Sequence, residues 1–64
     1  MKIRFPEDCV RYIETDTISV EDLLKKLVIN PVEVVVTRNN SVLLEDEILT
    51  NSDSIKIIKV IHGG

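Results

Sequence analysis

The stretch Ser54-Ile55-Lys56-Ile57-Ile58-Lys59-Val60-Ile61-His62-Gly63-Gly64 decides the fold, because a β-rich apolar run is followed here by two glycines. β-Branched residues dominate the run, and apolar side chains fall on both alternation faces: Ile55, Ile57 and Ile61 on one, Ile58 and Val60 on the other. A segment that is apolar on both faces is typical of a strand in the middle of a sheet. We therefore expect residues 54–61 to form a central strand.

The last three residues predict a tail rather than structure. Glycine has no side chain to bury and has the most backbone freedom to lose on ordering. We therefore expect His62, Gly63 and Gly64 to be mobile. The carboxylate of Gly64 would then lie at the tip of a flexible arm.

Length and composition set the class of the protein. The 64 residues predict one domain over residues 1–64, near the size at which folding buries only about 60% of the unfolded surface. A hydrophobic fraction of 44% and a charged fraction of 30% are typical of a soluble globular domain. The sequence has no apolar run long enough to predict a signal peptide or a membrane span. We therefore expect a cytoplasmic protein without membrane contacts. A deep catalytic cleft is hard to build at this size, and we expect no enzyme activity.

Metal and nucleic-acid binding are poorly supported by the sequence. Cys9 is the single cysteine and His62 the single histidine, which is too few for a tetrahedral zinc site, and no bound cofactor is indicated. A net charge of -3, with one Tyr and one Phe, does not favour nucleic acid as a partner. We expect Cys9 to be a small core residue and the acidic run at 45–47 to be solvated surface.

Four further strands follow from alternation and turn residues. Residues 1–5 alternate apolar and basic side chains, and residues 9–14 can return beside them as the second strand of a hairpin that closes at 15–17. Residues 33–38 and 42–44 predict a second strand pair around the turn Asn39-Asn40, because asparagine accepts positive φ.

One helix is predicted between the two strand pairs. Ser19 is a good N-cap for a helix from about residue 20 to 27. Its apolar stripe is Val20, Leu23, Leu24 and Leu27. Asn30-Pro31 is expected to stop it. Ile48 and Leu49 are expected to tuck beneath the acidic loop, before a turn at 50–53.

This order predicts an α+β domain in which one helix packs on one face of a mixed sheet of four to five strands, the arrangement called a β-grasp. Placing the final strand beside the first brings Met1, Ile3, Phe5, Ile55 and Ile57 to the helix. The same alternation leaves Lys2, Arg4, Lys56, Ile58 and Val60 on the helix-free face. An exposed apolar pair with a basic rim is the kind of surface that binds a partner, although Ile58 and Val60 are equally compatible with ordinary covered sheet positions.

Two stretches, Val36-Thr37-Arg38-Asn39-Asn40 and residues 53–64, resemble the ThiS/MoaD sulfur carriers and their ubiquitin-like relatives, including the small archaeal modifier proteins. The elements that carry this resemblance are the length of the chain, the V-x-R-N turn, Asp53 before the last strand and the final Gly-Gly. Members of the family usually have glycine where Asn40 and Ser52 stand here, and both of these residues suit turns.

The resemblance implies a sulfur carrier with a ubiquitin-like β-grasp fold that is not itself an enzyme. A partner of the ubiquitin-activating type would use ATP to adenylate the Gly64 carboxylate, and sulfur transfer would leave a thiocarboxylate there. Gly63 and Gly64 would allow the tail to thread a narrow channel. A sulfur-accepting enzyme, such as thiazole synthase or the large subunit of molybdopterin synthase, would receive the sulfur for thiamine, molybdopterin or tRNA thiolation. The free carrier is expected to be a monomer.

Two other functions stay open at this point. Activated Gly64 would be joined to lysines of other proteins in a covalent modifier, which shares the first chemical step with a carrier. In a passive interaction module the glycines would be incidental. His62 has nothing to orient it as a general base, so we expect at most a specificity contact with the partner.

Overall fold

The structure, a computed structural model, describes residues 1–60. The strands are β1 Lys2–Arg4, β2 Val10–Tyr12, β3 Thr17–Ser19, β4 Val34–Arg38, β5 Ser41–Val42, β6 Ile48–Thr50 and β7 Ser54–Lys59. The α-helix α1 spans Val20–Lys26, and a 3₁₀ helix spans Pro31–Glu33. In this part of the chain, no helix is long and apolar enough to cross a membrane.

Five of the strands form one mixed sheet in the order β2-β1-β7-β4-β5. β7 lies in the centre, parallel to β1 and antiparallel to β4. Ile3 is opposite Ile55, and Val36 is opposite Ile57, so three strands direct apolar side chains to the same side. With α1 packed on that side, the fold is a ubiquitin-like β-grasp, and the prediction of a central final strand is confirmed.

The start of α1 agrees with the sequence pattern. The Ser19 hydroxyl oxygen accepts a hydrogen bond from the Asp22 N–H at 3.1 Å, which satisfies one of the free N–H groups at the helix start. Val20, Leu23 and Leu24 are buried against the sheet, while Leu27 is partly buried. The predicted stripe is therefore the face that the helix buries.

The helix α1 ends within one residue of the predicted position, but a different feature stops it. The Val28 N–H donates to the Lys25 carbonyl at 3.1 Å and the Ile29 N–H to the Leu24 carbonyl at 2.9 Å, the pattern of a Schellman motif. The helix therefore ends before Asn30-Pro31, which does not stop it. Asn30 instead caps the 3₁₀ helix, because its side-chain oxygen accepts the Val32 N–H.

The strand pair β3 and β6 was not predicted from the sequence. It is antiparallel, with Ile18 opposite Leu49, and it lies outside the five-stranded sheet. Leu49 is fully buried, as expected for a residue beneath the loop, but Ile48 is exposed. The expectation for Ile48 was wrong because alternation along β6 turns neighbouring side chains to opposite sides.

The β4–β5 hairpin turns through Asn39 and Asn40, whose φ angles of 53° and 65° fit a two-residue turn of type I′. Arg38 and Ser41 pair directly on either side of this turn. The predicted fourth strand is thus shorter and starts earlier, as β5.

The core forms between α1 and the sheet. Its fully buried side chains are Ile3, Leu23, Leu49 and Ile57. Cys9 is exposed, so its assignment to the core was wrong. The reason is the turn between β1 and β2: the Phe5 N–H donates to the Cys9 carbonyl at 2.7 Å, which holds Cys9 in a tight loop at the end of the sheet.

Candidate partner-binding face

The helix-free face of the central strands, or open face, carries the residues that alternation singles out. In the parallel pairing of β1 and β7, Lys2 lies opposite Ser54 and Arg4 opposite Lys56. Ile55 and Ile57, which alternate with Lys56 along β7, are buried on the helix side. The cationic side chains of both strands therefore share the open face.

Ile58 is the large apolar side chain at the centre of this face. It is 42% exposed and lies opposite Val35 of β4, which is partly buried. Val60 follows β7, where its N–H donates to the Glu33 carbonyl at 2.8 Å, and it is also partly buried. The structure thus places one well-exposed aliphatic residue, rather than a matched pair, on the open face.

The basic side chains around Ile58 differ in whether an acidic residue pairs with them. The Arg4 guanidinium forms an ion pair with Asp8, with Nη1 to Oδ1 at 2.7 Å, so its charge is partly neutralised. Lys2 and Lys56 have no ion-pair partner within residues 1–60. The basic character of the face therefore comes mainly from the two lysines.

Tyr12 belongs to this face and was missed in the sequence. It pairs with Lys2 across the first hairpin and is 74% exposed. The signal for it was present in the alternation of residues 9–14, but the register that places it beside Lys2 depends on the length of the turn. An exposed aromatic ring adds a residue type that is enriched in protein interfaces.

A groove lies next to the end of β7. It is lined by Arg4, Phe5, Pro6, Asp8 and residues 56–59. Its walls are the turn after β1 on one side and the C-terminal half of β7 on the other. The groove is thus continuous with the open face and lies close to Val60, the last described residue.

Arg38 and Asp53, two residues of the stretches that carry the family resemblance, contact each other. The Arg38 Nη1 lies 3.2 Å from Asp53 Oδ2, and both side chains are partly buried. The same carboxylate oxygen accepts the Thr50 N–H at 2.8 Å. These two motif residues therefore hold the turn before β7 against the end of β4 rather than forming part of the open face.

The remaining predicted site residues, His62, Gly63 and Gly64, lie outside the described residues. Within residues 1–60, no group of three or more His, Cys, Asp or Glu side chains is arranged to hold a metal ion.

The chain matches the model of one known protein family. No curated protein matches the chain. A model of the ThiS family matches residues 5–64, all but the first four residues. Together with the β-grasp order of the strands, this match shows that the chain belongs to the ThiS family of ubiquitin-like sulfur carriers.

Proposed function

We propose that this protein carries sulfur as a thiocarboxylate on the C-terminal carbon of Gly64. The observation that most supports the proposal is the extent of the family match, which runs through Gly63 and Gly64. The position of β7 adds to it, because a central strand fixes the point from which residues 61–64 follow. The proposal requires Gly64 to bear a free carboxylate.

The chemistry explains why a carrier needs an activating partner. A carboxylate is a poor electrophile, since neither of its oxygens is a good leaving group. In the proposed first step a carboxylate oxygen of Gly64 attacks the α-phosphorus of ATP, and pyrophosphate leaves. A sulfur nucleophile at the oxidation level of hydrosulfide then attacks the acyl carbon and displaces AMP. One C–O bond is broken and one C–S bond is formed, with no net oxidation.

The carrier contributes binding and reach, while its partners contribute catalysis. ThiS-family members are carriers that work with adenylating and sulfur-accepting enzymes. We assign the surface that binds the adenylating enzyme to the open face around Ile58, with Lys2, Lys56 and Tyr12 at its periphery. The sulfur-accepting enzyme would be of the thiazole synthase or molybdopterin synthase type. Because the first step consumes ATP, the cytoplasm is the compartment that suits it.

The proposal is tested by the mass of the protein and by its activation. Intact mass of the protein from its native cells is expected to show one oxygen of the C-terminus replaced by sulfur. A Gly-Gly remnant on lysines of other proteins would instead identify a covalent modifier. If neither is found, the domain is a passive interaction module.

Removal of Gly64 gives the matching biochemical test. With the cognate adenylating enzyme, the shortened chain and a chain extended by one residue should both fail in ATP–pyrophosphate exchange. In each variant the terminal carboxylate belongs to a residue other than Gly64 and is displaced by one residue from the reacting position. Thermal unfolding of both chains should match the parent protein. Undiminished exchange by the shortened chain would exclude Gly64 as the adenylated residue.

A further inference from the structure

The outer edge of β4 is only partly covered by its neighbour. β4 has five residues, whereas β5 spans only Ser41–Val42. The Leu43 N–H donates to the Val36 carbonyl at 2.8 Å, which is the last backbone hydrogen bond to this edge within residues 1–60. After Leu44 the chain turns away. The Val34 carbonyl points to the same outer side as the Val36 carbonyl, because backbone groups alternate along a strand, and it lies beyond this last bond.

A groove with apolar walls runs beside the uncovered edge, between β4 and the start of α1. The side chains that make these walls are Val20, Leu24, Pro31, Val34, Leu43 and Leu44. Leu44 is 67% exposed, so the groove presents apolar surface that nothing within residues 1–60 covers. An uncovered strand edge next to apolar surface is the structural requirement for adding a strand from another chain.

The rim of this groove is acidic. Glu21, Glu45 and Asp46 line it, and all three are exposed. Glu21 forms an ion pair with Lys25 at 3.4 Å, but Glu45 and Asp46 have no ion-pair partner within residues 1–60. The charge of the groove is therefore opposite to that of the lysines on the helix-free face.

We propose that the β4 edge binds an extended segment of a partner protein in which apolar residues alternate with lysine or arginine. The segment lies beside β4 as an additional strand, with one backbone N–H donating to the Val34 carbonyl. Its apolar side chains enter the groove against Pro31 and Leu44, which are both exposed, while its cations lie near Glu45 and Asp46. The alternation is required because successive side chains of a strand point to opposite faces.

Charge disfavours a second copy of the same chain as the occupant. In a symmetric pair the same patch meets itself, so Glu45 and Asp46 of both copies would face each other. The net charge of -3 adds to this repulsion. A basic segment of a different protein meets the same groove with attraction.

A synthetic peptide tests the proposal directly. The probe is a short peptide in which lysine alternates with valine, titrated into the full chain labelled with nitrogen-15. We expect amide shifts at residues 34–36 and 43–46, and nuclear Overhauser contacts between the peptide backbone and β4. A peptide of the same sequence, with those backbone nitrogens methylated that would face β4, should bind more weakly because it cannot donate the hydrogen bond to the Val34 carbonyl.

Variants separate this groove from non-specific attraction. The double variant Glu45→Lys, Asp46→Lys should weaken peptide binding by about tenfold at low ionic strength, and the effect should shrink as salt rises. The double variant Glu14→Lys, Asp16→Lys, which changes two exposed acids away from the groove by the same total charge, is the matched control and should leave the affinity nearly unchanged. No binding, shifts confined to the helix-free face, or self-association through the β4 amides would each overturn the proposal.

Discussion

Val28 has a backbone conformation that a β-branched residue rarely adopts. Its φ is 58°, in the left-handed region, and it is 91% exposed, so no burial of its side chain offsets the strain. It occupies the position after the helix cap at which glycine is usual in a Schellman motif. The backbone hydrogen bonds of that motif must therefore hold Val28 in place against its own preference.

Val28→Gly should stabilise the protein by about 0.5 to 1 kcal/mol. The substitution removes a left-handed penalty of about 1 to 2 kcal/mol, part of which is cancelled by the greater freedom of glycine in the unfolded chain. Val32→Gly is the matched control, because Val32 is also exposed but lies in the 3₁₀ helix without a positive φ, and it should destabilise. Urea unfolding of both variants measures the difference. A loss of stability in Val28→Gly would show that the strain is not stored at this residue.

Two neighbouring isoleucines in β7 have opposite environments. Ile57 is fully buried in the core, whereas Ile58 is substantially exposed on the helix-free face. Ile57→Ala should therefore cost about 2 to 5 kcal/mol of unfolding free energy, and Ile58→Ala much less. Denaturant titrations of the two variants are the measurement. The reverse order would mean that β7 presents its other face to the helix.

At the scale of elements, the ion pair between Arg38 and Asp53 joins β4 to the turn before β7. Asp53→Ala should cost about 1 to 2 kcal/mol, because it removes a partly buried pair and the acceptor of the Thr50 N–H. Asp8→Ala breaks the exposed pair with Arg4 and should cost less than about 1 kcal/mol. Thermal unfolding of the two alanine variants compares them. Equal costs would show that burial adds nothing to the Arg38–Asp53 contact.

The elements with strong local signals were predictable from the sequence. β1 and β7 show alternation, and Ser19 has the side chain of an N-cap, so their bounds and faces follow from the residues themselves. β3 and β6 have only three residues each and pair across a long separation in the chain, which leaves no periodic signal in either. The position at which α1 ends was predicted, but the motif that stops it was missed for a different reason. The sequence has valine at position 28, where glycine would have marked the stop.

The helix-free face was predictable for the same reason as the strands. The features of this face that the sequence did not predict also have physical reasons. Alternation assigns Lys2, Lys56 and Ile58 without knowledge of the fold. The position of Tyr12 beside Lys2 requires the register of the hairpin, and the neutralisation of Arg4 by Asp8 requires the shape of the turn. Both depend on three-dimensional contacts that a one-dimensional pattern does not contain.

At the scale of the whole molecule, two pairs of charges of opposite sign, unpaired within residues 1–60, lie on different surfaces. Lys2 and Lys56 lie on the helix-free face, while Glu45 and Asp46 line the groove beside β4. A net charge of -3 alone would suggest uniform attraction to basic partners. The arrangement instead would orient the molecule in an encounter, because acidic surfaces are attracted to one side and basic segments to the other.

The proposed binding of the adenylating enzyme to the helix-free face can be tested with substitutions on this face. Ile58→Asp should weaken binding by about 2 kcal/mol or more, roughly thirtyfold in Kd, at any ionic strength, because it puts a charge into the desolvated centre of the contact. Lys56→Ala should lower the association rate several-fold at low salt and have little effect at high salt, since exposed charges steer encounters and are screened by ions.

Surface plasmon resonance at two ionic strengths separates the two effects into dissociation and association rates. Ile48→Asp is the matched control, because Ile48 is similarly exposed but lies in β6, outside the five-stranded sheet. It should leave both rates unchanged. If Ile58→Asp binds normally while Ile48→Asp does not, the enzyme grips the side of the molecule that carries the β3–β6 pair, and the helix-free face is free for another partner.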